Sequence, residues 1–172
     1  MVKKFNYILG IIGLLATHLT ASDIPFRTQF YSVILSSDFV TTPNNKQSSI
    51  NYFILPSIAT FSITTYDLNF TPTPGAIEAI RIHDRYDGWI LKHRRDLTSD
   101  ELSRSNSQSG SLAVYGFTRM DANSLKIKNK LSIEYSYITN HRSAVITVET
   151  DDTHWKHLEP KIKQFVRLFM FI

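Results

Sequence analysis

Leu125-Lys126-Ile127-Lys128-Asn129-Lys130-Leu131-Ser132-Ile133-Glu134-Tyr135-Ser136-Tyr137 alternates apolar and polar side chains with a period of two, Asn129 being the polar exception among the odd positions. Successive side chains of a strand point to opposite faces, so the run predicts strand with one dry face and one wet face. That pattern belongs to an antiparallel sheet covered on one side. Asn129 is expected to mark a turn or bulge that splits the run into two strands.

Outward from this run the same signature recurs. Ala59, Phe61 and Ile63 alternate with Thr60, Ser62 and Thr64. Ser143 to Glu149 is rich in β-branched residues and apolar on both faces at Val145 and Ile146, which predicts a more central strand. Further strands are expected at Tyr31–Leu35, Ile50–Leu55, Gly88–Arg94 and Ser111–Arg119. The tracts Thr41-Thr42-Pro43-Asn44-Asn45-Lys46-Gln47 and Ser103-Arg104-Ser105-Asn106-Ser107-Gln108-Ser109-Gly110 have nothing to bury and predict exposed loops, the second mobile.

Two segments carry helical spacing instead. Thr73 ahead of Pro74 is an N-cap followed by proline in the first turn, and Ala76, Ile77, Ala79, Ile80 and His83 follow at helical intervals. At the C-terminal end Trp155, Leu158, Ile162, Phe165 and Phe169 step by three and four residues along one face, with Asp152 or Thr153 as the expected cap. Pro160 lies inside that run, which predicts a kink or a restart. An apolar helical stripe must lie on something, and a one-sided sheet supplies the surface. The fold class that results is α+β, a largely antiparallel sheet of about six or seven strands covered by a C-terminal helix and a shorter helix.

The N-terminal end reads as a targeting segment. Lys3 and Lys4 precede the apolar stretch from Tyr7 to Ala16, and small and polar residues run from Thr17 to Ser22. The apolar stretch is too short for the ~20 residues a bilayer span needs, and the order matches a secretory signal peptide. Residues 1–22 are therefore expected to be removed, with cleavage after Ala21 or Ser22, leaving 23–172 as one domain of 150 residues. There is no cysteine, which excludes a thiol-linked lipid anchor, disulfides and thiol redox chemistry. Losing Lys3 and Lys4 leaves 17 Lys and Arg against 15 Asp and Glu, a net charge of +2 that gives no reason to expect nucleic acid as a partner.

Two clusters could carry chemistry. Asp151-Asp152-Thr153-His154-Trp155-Lys156-His157 places His154 and His157 on one side of a helix, and with Asp152 they form a possible site for a divalent metal such as zinc, copper or manganese. Helix-start aspartates and solvated histidines explain the same residues without a metal. His83-Asp84-Arg85-Tyr86-Asp87 with Lys92-His93-Arg94-Arg95-Asp96 could supply a base and an anion clamp, but Arg94 and Arg95 fall on opposite faces of a strand. Surface ion pairing accounts for them, and a basic surface that docks an acidic protein partner is the functional alternative. No nucleophile elbow and no phosphate-binding glycine loop occurs, so no catalytic residue is assigned. An eight-stranded outer-membrane barrel fits the aromatic content, 11 Phe and 8 Tyr, but not a C-terminal segment with helical period and an internal proline.

The element order and the closing unit Ala144-Val145-Ile146-Thr147-Val148, Asp151-Asp152, then Trp155, Leu158, Pro160, Ile162, Phe165 and Phe169 resemble the PsbP-like and DcrB-like α/β/α sandwich family. The resemblance implies a non-enzymatic accessory or binding module and supplies no catalytic residues. The expected function is thus an exported soluble protein, periplasmic or secreted, acting by contact with another exported or envelope protein as an assembly factor or a toxin-neutralising protein. The alternative is a small metal-dependent hydrolase or ligand-binding domain using His154 and His157. Mass spectrometry of the chain recovered from the cell envelope or medium should find Ser22 or Asp23 as the first residue; a chain that retains Met1 contradicts the signal assignment.

Overall fold

The computed structural model describes residues 23–41, 49–84, 88–120 and 127–172. The expected signal peptide, most of the 41–47 loop, and Arg85, Tyr86 and Asp87 lie outside the described residues.

The chain order is β1 (Ile24–Arg27), β2 (Tyr31–Leu35), β3 (Val40–Thr41), β4 (Ile50–Leu55), β5 (Ala59–Asp67), α1 (Pro74–Asp84), β6 (Ile90–Asp96), α2 (Ser99–Ser105), β7 (Ser109–Met120), β8 (Ile127–Thr139), β9 (Arg142–Asp151), a 3-10 turn (Asp152–His154), α3 (Trp155–Arg167) and β10 (Met170–Phe171). Seven strands form one antiparallel sheet in the order β3-β4-β5-β9-β8-β7-β6, open at β3 and β6, and β1, β2 and β10 form a second, three-stranded sheet. An open sheet with two edges is not a closed barrel. Among the described residues no helix is long and apolar enough to cross a membrane.

Register explains the two faces. One row across the sheet reads Phe53, Phe61, Val148, Ile133 and Val114, and the next reads Ile63, Ile146, Tyr135 and Leu112. These rows form the floor of the main core, and α3 lies on them through buried Leu158, Ile162 and Phe165; Phe169, expected on the same helical stripe, falls past the end of α3 and is buried in the same core. Phe165 is the central contact, with ring centroids 5.0 Å from Phe61 and 5.6 Å from both Phe39 and Phe53. The small sheet closes the same side: buried Tyr31 and stacked Tyr137 lie 5.6 Å and 4.9 Å from Phe169.

The opposite row reads Tyr52, Ser62, Thr147, Glu134, Ala113 and Arg94. It is not the wet face expected from the alternation, because α1 covers its middle. Ile77 packs on Ile138 and Val145, and Arg81 reaches down to Glu134 (3.3 Å) and Thr147 (3.1 Å). Burial works against the Arg81 charge, but the Glu134 carboxylate and Tyr66 together outweigh it and raise the guanidinium above its usual range. Polar side chains on a sheet therefore became interior groups with partners, which is the condition for burying them.

Four expectations are corrected. Asn129 does not split the run: β8 is one strand, and the Thr118 hydroxyl donates to Asn129 Oδ1 at 3.1 Å where both are exposed and nothing must be buried. The tract from Ser103 is not a mobile loop, since Ser103–Ser105 close α2 and Ser109 opens β7. Helix α3 does not restart at Pro160: Trp155–Arg167 is one helix with Pro160 exposed inside it. Asp152 and Thr153 do not cap α3; they form the 3-10 turn, and His154 is the N-cap without a side-chain bond. The Thr73 cap is present, with the Ala76 amide donating to its hydroxyl at 3.2 Å. Replacing Phe165 with alanine should lower the unfolding free energy by about 3–5 kcal/mol in a urea titration, with Phe165→Leu losing less.

Candidate basic cleft between α2 and α3

Arg95 faces the α3 side of the sheet from edge strand β6, opposite Leu112. Its guanidinium meets the Glu101 carboxylate in a two-pronged pair, 2.8 Å at each contact, and also donates to the Asp96 carbonyl at 3.0 Å. The same carboxylate completes a capping box: the Thr98 amide donates to Glu101 Oε2 at 2.8 Å and the Glu101 amide donates to the Thr98 hydroxyl at 3.3 Å. Thr98-Ser99-Asp100-Glu101 thus starts a helix and locks one cation at once. Gly110 admits this arrangement, since a Cβ there would meet the Ser136 carbonyl at 2.2 Å and Leu97 at 2.7 Å.

The cavity beside this pair, about 260 Å³, is lined by Arg95, Glu101, Arg104, Tyr135, Tyr137, Lys163, Val166 and Arg167. Four cations face one carboxylate, and that carboxylate is committed to Arg95. Arg104 pairs with Asp100, and Lys163 with Glu159 at 2.9 Å, both as i,i+4 pairs on their own helices. Such exposed pairs are weak and exchange readily for a better anion. Among the described residues Arg167 has no ion-pair partner. Tyr135 and Tyr137 form the floor, and burial raises both phenols, Tyr137 beyond the ordinary tyrosine range. They stay neutral, hold no charge of their own and close the bottom of the cleft as buried side chains. This chemistry attracts carboxylates; it includes no nucleophile paired with a base.

The residues singled out in the sequence are dispersed. Arg94 and Arg95 do point to opposite faces, Arg94 to Glu78 of α1 at 3.0 Å and Arg95 to Glu101. His93 is exposed on the β6 edge, opposite Val114. The side chains of His83 and Asp84 lie outside the described residues. Asp152 and His157 are exposed and His154 is partly buried, and among the described residues no three His, Cys, Asp or Glu side chains are placed to hold a metal. Of the cleft, only Arg95 was singled out from the sequence. The capping box at Thr98 and Glu101 and the Lys163–Arg167 spacing were both readable, but their convergence depends on how α2 and α3 dock.

Comparison with solved structures places the fold. Cyanobacterial PsbP (CyanoP) from Synechocystis sp. PCC 6803 superposes with a TM-score of 0.64 at 9% identity, covering 91% of this chain and 96% of that one. PA94 of Pseudomonas aeruginosa, a protein of unknown function described as a putative regulator, gives 0.53 at 17% identity over 86% and 95% of the chains. The Saccharomyces cerevisiae Ran-binding protein Mog1p gives 0.53 at 6% identity over 87% and 95%. The chain has the PsbP-like α+β fold, as the closing strand-helix unit implied. No protein-family model and no curated protein matches it by sequence.

Arg95 hydrogen bonding, then the Thr98 contacts, hold the Glu101 carboxyl down to about 2 against the opposing effect of burial. A carboxyl depressed in the folded state contributes stability that is present above its unfolded pKa and is lost as pH falls toward the folded one. Glu101→Gln should therefore destabilise by about 1–2 kcal/mol at neutral pH, and the gap to the unmodified chain should close as acid unfolding is followed from the ordinary carboxylate range down to about pH 2.

Proposed function

We propose that this chain is an exported, non-enzymatic accessory protein, periplasmic or secreted, that acts by protein–protein contact and receives an acidic segment of another exported or envelope protein in the cleft between α2 and α3. The observation that carries the reading is the convergence of Arg95, Arg104, Lys163 and Arg167 on one cavity floored by two neutral tyrosines. Arginine is among the residues that most often dominate protein contacts, and three of the four cations here are arginines. Positive potential from several cations speeds encounter with an acidic partner and orients it. The PsbP-like scaffold supports the reading from a second side, since one neighbour of the same fold is described as Ran-binding. An assembly factor and a toxin-neutralising protein both work in this way.

The test reverses three cations, Arg104→Glu, Lys163→Glu and Arg167→Glu, the first two held only by exposed i,i+4 pairs on their own helices, and leaves the Arg95–Glu101 pair intact. The unmodified chain should retain a stoichiometric acidic partner from an envelope extract, with retention falling as salt is raised. The triple variant, folded by circular dichroism, should bind it at least about tenfold more weakly. Equal retention by both forms contradicts the proposal.

A further inference from the structure

Strand β6 ends the seven-stranded sheet, and among the described residues no strand pairs with its outer side. The ladder shows which of its backbone groups are open. The Leu97 amide donates to the Gly110 carbonyl at 3.0 Å, in the same register that sets Asp96 opposite Ser111, Arg95 opposite Leu112 and Arg94 opposite Ala113. In an antiparallel ladder, residues that bond to the neighbouring strand alternate with residues whose amide and carbonyl point away from it. Leu97 and Arg95 therefore bond to β7, and the amides and carbonyls of Arg94 and Asp96 face outward. Lys92, His93, Arg94 and Asp96 are all exposed, which leaves this edge open among the described residues.

The side chains along the edge are sorted by charge. Arg95, opposite Leu112, and His93, opposite Val114, face the α3 side of the sheet. A register shift between Leu91 and His93 marks a β-bulge at Lys92, and Lys92 lies on the α3 side too: a Cβ on Gly116, two residues beyond Val114, would meet its Cε at 2.5 Å. Lys92, His93 and Arg95 thus line one side of the edge and lead into the cleft, where Arg104 joins Arg95. The Arg95 guanidinium donates to the Asp96 carbonyl, one of the outward groups, so the cleft reaches the edge itself. On the α1 side Arg94 is paired with Glu78, and Asp96 adds a negative charge.

An open edge of this kind accepts an added strand, and its charges decide which. A second copy of β6, paired antiparallel about Arg94 or about Arg95, sets an arginine against its own copy, and like charges directly opposite are destabilising. Cations on edge strands ordinarily serve to prevent such self-pairing. An acidic strand meets the opposite condition. A residue of that strand placed opposite Arg94 exchanges two backbone bonds with it, and the residues on either side of it fall opposite Arg95 and His93. Side chains directly opposite share a face, with Cβ atoms about 5 Å apart. Every second residue of the added strand therefore turns toward Lys92, Arg95 and the cleft, and the intervening ones turn to the α1 side, where Asp96 repels a carboxylate.

We propose that β6 receives the partner's acidic segment as an added antiparallel strand, with carboxylates at every second residue turned toward Lys92 and Arg95. The proposal rests on the reading of the cleft as the site for an acidic segment, and it specifies the conformation and the sequence pattern of that segment. Arg94 and Asp96 supply the main-chain bonds, and the cations on the α3 side select the pattern. Docking needs no change in the fold.

The test is fluorescence anisotropy of the full chain at low salt with two labelled peptides of one composition. The first alternates glutamate with threonine and valine, and the second carries the same glutamates in a single block. The alternating peptide should bind at least about tenfold more tightly. N-methylation of its threonine and valine amides, which face β6, should weaken binding at least about tenfold, whereas N-methylation of its glutamate amides, which face away, should leave it unchanged. Arg94→Pro removes an outward amide and no bond to β7, and should also weaken binding at least about tenfold; Arg94→Ala keeps the amide and should bind like the unmodified chain. Equal binding of the two peptides, or indifference to N-methylation and to Arg94→Pro, overturns the added strand; loss of that binding in the Arg104→Glu, Lys163→Glu, Arg167→Glu variant then still supports the cleft. Binding that follows the N-methylation pattern but survives in the triple variant supports the added strand and overturns the cleft reading. Absence of binding by either peptide overturns both. A dimer of the chain that Arg94→Pro dissolves overturns the proposal in favour of self-pairing.

Discussion

Phe165 enters the sheet between Phe39, Phe53 and Phe61, and its seating constrains everything around it. The residue sits mid-stripe on α3, so fixing its ring fixes the helix in height and rotation against β5, β9 and β8. Once α3 is placed, Phe169 must stack on Tyr137 and meet Tyr31, which draws β2 and, through β10, the end of the chain onto the same face. Lys163 and Arg167 then stand on the side of α3 that overlooks Tyr135 and Tyr137. The cleft is a by-product of how the aromatic core packs.

The opposite face is organised by a different force. Among the described residues helix α1 covers it, and beneath that helix the pairing of Arg81 with Glu134 and Thr147 stands beside a small apolar contact. A buried ion pair adds little net stability over an apolar equivalent, because both charges lose water. Its effect here is positional: with Ile77 on Ile138 and Val145, it fixes where α1 rests, while Arg94 and Glu78 hold its outer side. The two faces of one sheet thus carry an aromatic layer and a charged clamp.

Much of this fold is legible in the amino-acid sequence. Period-two alternation located the long strands, and the spacing of Trp155, Leu158, Ile162 and Phe165 located α3 and its buried side, while Phe169 falls past the helix end. Alternation reports which side chains share a face, not what lies over that face, so Glu134, Ser132 and Ser136 read as solvent-facing until α1 was placed over their side of the sheet. The serine-rich tract from Ser103 reads as loop by composition, and the capping box at Thr98 and Glu101 that starts α2 was not read. The short strands β1, β3 and β10 have too few residues for a period to show. Of the cleft, Arg95 stood out as a charge, but its neighbours come from α2, α3 and β8, and no local pattern brings them together.

The PsbP-like scaffold presents, through its aromatic packing, four cations over two buried, neutral tyrosines. The most direct measurement is a chemical-shift titration of the isotope-labelled chain with a short glutamate- and aspartate-rich peptide at low salt. The account predicts saturable shifts centred on Arg95, Arg104, Tyr135, Tyr137, Lys163 and Arg167, with the β3–β4 side of the sheet unmoved. Shifts spread evenly over all surface lysines and arginines, or centred outside the cleft, contradict it.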